Sequence, residues 1–214
     1  VTMEFMDGGL YRDITDFAHD TPPWVRHTAE IGTEAGLLVF LVLFAAAWWR
    51  ARRGSAHAFA IAALAPLATG VAYVCRGAQI RGGAGASVPG GHRRGATARP
   101  VPAARRWSFP SNHATIAGAS ALPLVLVRRT LVRLTAPLAL LAAFSRVFVG
   151  VHHPRDVAAG LLLGALVAFV TVRSATRPAV RLAESMRAST VPTARWLTGP
   201  GPVHAGACAP QRRR

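Results

Sequence analysis

The stretch AHAFAIAALAPLATGVAYVC, residues 56–75, runs for twenty residues without an Asp, Glu, Lys or Arg. A helix rises about 1.5 Å per residue, so a segment of this length matches the ~30 Å hydrocarbon core of a bilayer. Four further apolar stretches lie on either side: Ile31 to Trp49, Ala114 to Val127, Leu134 to Phe144 with its extension to Val151, and Val157 to Val172. They hold almost no charge, and Arg146, inside the fourth stretch of the chain, is the one arginine among them. The first two stretches are long enough to span, and the others reach that length with their flanking turns. This pattern reads as an all-α fold, a multi-spanning transmembrane helical bundle of about five spans. With 51% hydrophobic and 16% charged residues, the composition weighs against a soluble bundle.

The formal net charge of +16 suggests nucleic acid if taken alone, but its placement speaks for a membrane. Arg50, Arg52 and Arg53 follow span one, Arg128, Arg129 and Arg133 separate spans three and four, and Arg173, Arg177 and Arg181 follow span five. By the positive-inside rule these three places are cytoplasmic. The N-terminal segment, the segment from Arg76 to Trp107 and the turn around His152 then share the opposite side. A cell-membrane protein with its polar site on the extracytoplasmic side is expected, with no nucleic-acid partner.

Three regions follow. Residues 1–30 carry Tyr11, Ile14, Phe17 and Ala18 at helical spacing, then Pro22, Pro23 and Trp24, the pattern of an interfacial amphipathic helix with an aromatic anchor. Their acids, Glu4, Asp7, Asp13, Asp16, Asp20 and Glu30, do not fit a signal peptide. Residues 31–174 form the membrane domain. Residues 175–214, polar, Pro-containing and Arg-rich, read as a cytoplasmic tail that is disordered or lies on anionic lipid. Cys75 and Cys208 fall on opposite sides, so neither a disulfide framework nor a metal site is built from them.

Two motifs carry the chemistry. Pro110-Ser111-Asn112-His113 opens span three, where the free N–H groups of a first helical turn make an anion site at Ser111 and Asn112. Ser145-Arg146, five residues, His152, three residues and Asp156 join spans four and five. A guanidinium at the end of a span is costly against lipid and suits capture of phosphate oxygens, so Arg146 is expected to face the bundle. Asp156 is expected to reach back and hydrogen-bond one nitrogen of His152, leaving the other free as a nucleophile. His153 has no place in the pattern, and Ser145 is read mainly as a local hydrogen-bonding residue.

The paired motifs, each at an outer span end, resemble the type 2 phosphatidic acid phosphatase superfamily over roughly Trp107 to Val172. Its members include bacterial lipid phosphatases, undecaprenyl pyrophosphate phosphatases and soluble vanadium haloperoxidases. The resemblance implies hydrolysis of a lipid-linked phosphate or pyrophosphate, with His152 forming a phosphohistidine, Asp156 orienting it and His113 as general acid. Arg146, Ser111 and Asn112 would hold the phosphate, without metal or cofactor. Asn112 stands where glycine is commonest in the family motif.

The family's upstream motif, a Lys, six residues and Arg-Pro, is degraded here. Arg99-Pro100 is present and Arg99 is a candidate phosphate ligand, but the position seven before it is His92, and the chain has no lysine. Arg93 and Arg94 are nearby substitutes. The segment from Arg76 to Arg106 has seven arginines and no acid, on the side where basic loops are disfavoured. Read one base later with permissible codons, including CAA for Gln79, residues Gln79 to Pro89 spell Lys-Ser-Ala-Ala-Glu-Gln-Glu-Arg-Pro-Cys, the missing motif at the right spacing. The coding DNA tests this frame slip: codons that do not read so when shifted refute it. As written, the chain is expected to turn over slowly or only to bind lipid phosphate, since each lost cation costs several kcal/mol of transition-state stabilisation.

Overall fold

The computed structural model describes residues 9, 14, 16–18, 20–84 and 109–202, apart from the side chains of residues 26 and 79–84. It is all-helical among the described residues: α1 Pro23–Ala51, α2 Ala56–Ala84, α3 Asn112–Val127, a 3-10 turn Arg129–Leu131, α4 Val132–Phe148, α5 Pro154–Ala188 and α6 Pro192–Thr198. Four helical segments are long and apolar enough to cross a membrane: Pro23–Ala51, Ala56–Ala78, Arg129–Phe148 and Pro154–Ala188. The fifth apolar helix, α3, has 16 residues, or about 24 Å, and lies in the middle of the bundle, packed on α1, α2, α4 and α5.

Side-chain size is sorted as expected of a protein in lipid. Ala65, Ala68, Ala72, Ala117, Ala119 and Ala168 are completely buried, while Leu38, Leu41, Val42, Leu141, Leu162 and Leu166 stand outward. Lipid tails are as apolar as leucine, so helices associate by close backbone approach over small residues rather than by hiding large ones. The seam between α3 and α5 is the tightest case. A Cβ on Gly164 would lie 2.0 Å from the Thr115 carbonyl oxygen, one on Gly118 2.3 Å from that of Leu161, and one on Gly160 2.7 Å from that of Ser111.

The described N-terminal residues lie against the C-terminal end of α4. Ala18 is buried, Phe17 meets Phe148 edge-on at 6.4 Å between ring centroids, and Ile14 packs on the cluster of Ala114, Ala143, Val147 and Val157. Tyr11 lies outside the described residues.

The tail is more ordered than its composition suggests. The helix begun at Pro154 continues through Ala188, past the expected boundary at residue 174, and α6 docks on the turn between α1 and α2. There Arg52 sits over the rings of Trp48, Trp49 and Trp196 and donates to the Trp196 carbonyl, while the Gly201 N–H donates to the Arg52 carbonyl at 3.1 Å. Cation–π stacking and backbone hydrogen bonds order a segment that a polar composition alone leaves free. Residues 203–214, with Cys208, lie outside the described residues.

Candidate active site

Short-range backbone geometry gathers the two motifs at one end of the bundle. Ser111 precedes α3, and its N–H donates to the Asp156 carbonyl on α5 at 3.0 Å. The chain leaves α4 through Gly150, whose φ of 79° suits only glycine comfortably. The Arg146 carbonyl accepts the N–H groups of Val151 and His152, each at 3.2 Å. This turn sets His152 close above the guanidinium-bearing end of α4.

His152 is half-buried. Burial, and next the Arg146 charge, hold its imidazole below the ordinary histidine range; Asp156 pulls the other way, and His113 and Arg76 add to the lowering. Four residues from α2, α3, α4 and α5 thus act electrostatically on one ring. Its Nδ1 is enclosed without a hydrogen-bond partner, as are Arg146 Nε, Ser111 Oγ and Asn112 Oδ1. Unsatisfied polar atoms gathered at a protein surface are the mark of a site that binds something polar.

Two expectations change in detail. The Asp156 carboxylate does not take its hydrogen bond from His152: Oδ2 accepts the His153 N–H at 3.3 Å, and Oδ1 lies 3.7 Å from Arg155 Nε. His153 is the N-cap of α5 and Asp156 its third residue, and the capping-box geometry turns the carboxylate back to the cap. Asp156 therefore acts on His152 through charge. The Ser111 side chain makes no capping bond and its N–H is occupied by Asp156, so of the first-turn amides only those after it remain for an anion. Ser145 donates to the Ala142 carbonyl within its own helix, and its hydroxyl also bonds Thr33 of α1. Arg99, Arg93, Arg94 and His92 lie outside the described residues.

Two residues were missed in the sequence. Arg76, near the end of α2, donates from Nε to the Pro110 carbonyl at 3.0 Å, which brings a second cation to the His152 site. Glu34, on α1, places Oε1 3.0 Å from His113 Nε2. The available signal was the same for both, an ionisable residue at the edge of an apolar run.

The architecture is that of a multi-pass membrane protein with imidazoles, a carboxylate and guanidinium groups drawn together at one end of its helices. The chain matches the profile of the PAP2 superfamily over residues 85–178. It is 37% identical over 84 residues to an undecaprenyl-diphosphatase of Sulfolobus acidocaldarius, covering 38% of this chain and 41% of that protein. It is 48% identical over 60 residues to a decaprenylphosphoryl-5-phosphoribose phosphatase of Mycobacterium tuberculosis, covering 28% of this chain and 33% of that one. The chain thus spans less than half the length of these curated relatives. No solved structure gives a significant match.

Proposed function

We propose that this chain is a membrane phosphatase that removes phosphate from a lipid-linked phosphate or pyrophosphate at the extracytoplasmic face, the lipid tail remaining in the bilayer. The observation that carries the reading is the half-buried His152 imidazole, kept unprotonated to lower pH by burial and Arg146, with His113 and Arg76 close enough to act on it. Both relatives are named for phosphates on polyprenyl carriers, which favours a polyprenyl tail.

In the proposed reaction the lone pair of His152 forms a bond to phosphorus as the bond to the leaving oxygen breaks. That oxygen takes a proton from His113. Water then attacks the phosphohistidine, His113 takes back a proton, the N–P bond breaks and phosphate leaves. Arg146, Asn112 and the amides after Ser111 hold the equatorial oxygens, with Arg76 supplying charge that the degraded upstream motif lacks. Asp156 stabilises positive charge on His152, and Arg99 remains a candidate ligand.

The test is purified chain offered undecaprenyl pyrophosphate, phosphatidic acid and phosphatidylglycerol phosphate, followed by an alkaline denaturing quench, with a portion of the quenched protein then exposed to acid. The expected result is phosphate release, fastest from the polyprenyl substrate, with a phosphoprotein that survives alkali and is lost in acid. Release without any such species refutes the phosphohistidine. A second reading, lipid-phosphate binding without turnover, draws on His92 standing where the upstream motif needs lysine; tight binding with no release would select it.

The pH profile supplies another check. A nucleophile whose protonation is suppressed stays active as pH falls, so the acid limb of kcat/KM is expected below the ordinary histidine value of about 6.5. Arg146→Gln removes the second-largest cause of that lowering, so the limb moves to higher pH while the rate falls. A limb that stays in place would show that Arg146 does not act on His152.

A further inference from the structure

Glu34 is an acid near the start of the apolar run of α1, between Thr33 and Ala35. A carboxylate on a span is costly against hydrocarbon, so its contact with His113 Nε2 at 3.0 Å calls for a reason. The register that brings it there is fixed independently. Thr33, 1% exposed, hydrogen-bonds Ser145 on α4 and the Ala29 carbonyl on its own helix. Gly36 leaves room for Leu138 of α4 at ordinary contact distance. These contacts turn one face of α1 onto α4, and Glu34, about 100° further round the helix from Thr33, points to α3 and His113.

We propose that Glu34 is the positioning residue of His113, a role that rests on the phosphatase reading above. Its carboxylate accepts the Nε2 hydrogen and holds the ring, so that Nδ1 is the atom that hands a proton to the leaving oxygen and later takes one from water. A carboxylate on one imidazole nitrogen orients the other for proton transfer. Glu34 itself touches no reacting atom. The protonation machinery therefore draws on α1 as well as α3.

The discriminating observable is dependence on the leaving group. A lipid phosphate expels a poor leaving oxygen that needs a proton, whereas p-nitrophenyl phosphate expels a stable phenolate that does not. In full-length chain in detergent micelles, Glu34→Ala is expected to lower kcat/KM for the lipid phosphate about 10- to 100-fold, part of the 10²–10⁴ typical of general acid catalysis. The kcat/KM for p-nitrophenyl phosphate, which reports only the steps up to loss of the phenolate, should be nearly spared. Glu34→Gln, whose amide oxygen still accepts the Nε2 hydrogen, should recover most of the loss. Equal loss on both substrates, or no loss, overturns the proposal. The contact has its own readout in the histidine-labelled chain: the His113 ring resonance, assigned by its disappearance in His113→Gln, must move in Glu34→Ala, and a stationary resonance overturns the proposal even if the chain has no turnover. No phosphate release from any lipid phosphate by the unaltered chain, with the His113 resonance still moving in Glu34→Ala, would count against the phosphatase reading instead.

Discussion

His152→Ala is expected to stop phosphate release, by at least ~10³-fold in kcat, while the chain still folds and still binds lipid phosphate. The expected size of the loss follows from chemistry that nothing else at the site replaces. Removing the imidazole removes the atom that bonds phosphorus, and His113, bonded through Nε2 to Glu34, is committed to proton transfer in the proposed reaction. The fold should be spared because His152 lies in the turn after α4, and its N–H bond to the Arg146 carbonyl at 3.2 Å is one that alanine keeps. Binding should be spared because Arg146, Arg76 and the amide groups of α3 remain. Steady-state release, the alkali-stable phosphoprotein and binding of a non-hydrolysable lipid phosphonate measure the three separately. Turnover within tenfold of the unaltered chain would end the nucleophile assignment.

Gly164→Val is expected to destabilise the bundle by about 1–3 kcal/mol or more and to cost activity further in what still folds. Even a single Cβ at this position falls 2.0 Å from a backbone oxygen of Thr115, an atom that cannot rotate away. The helices must part. Because Gly118 and Gly160 lie on the same seam, parting α3 from α5 also loosens the Ser111 to Asp156 hydrogen bond that ties His113 to the His152 turn. A displacement of about 1 Å between reacting groups can cost 10²-fold in rate. Thermal unfolding in detergent and kcat/KM check the two parts. Gly70→Ala is the control: it sits in α2 with nothing within 4 Å of the added Cβ, and should be neutral or slightly stabilising. Equal behaviour of the two variants would show that the seam does not hold the site.

The helical class was legible because hydrocarbon forces a long apolar run on every span, and five such runs can be read without knowing their partners. The gathering of His113, Arg146 and His152 was legible through topology, since alternate span ends share a face. Residues at the ends of the runs were harder. Glu34 and Arg76 look like chance charges at span edges until α1 is seen packed on α4 and Arg76 is seen bonded to Pro110. The order of the tail was not legible because it comes from Arg52 lying among Trp48, Trp49 and Trp196, the last of them 144 residues away in sequence.

Composition and spacing alone determined that the chain is a helical membrane bundle and which motifs lie on one face, because span length and charge asymmetry are local properties of the chain. Tertiary structure alone decided that the Asp156 carboxylate caps its own helix, that α3 and α5 meet over glycines, and that an acid from α1 reaches His113. Those outcomes depend on the rotation of each helix against its neighbours, and that rotation is set by close contacts between residues that no sequence spacing relates.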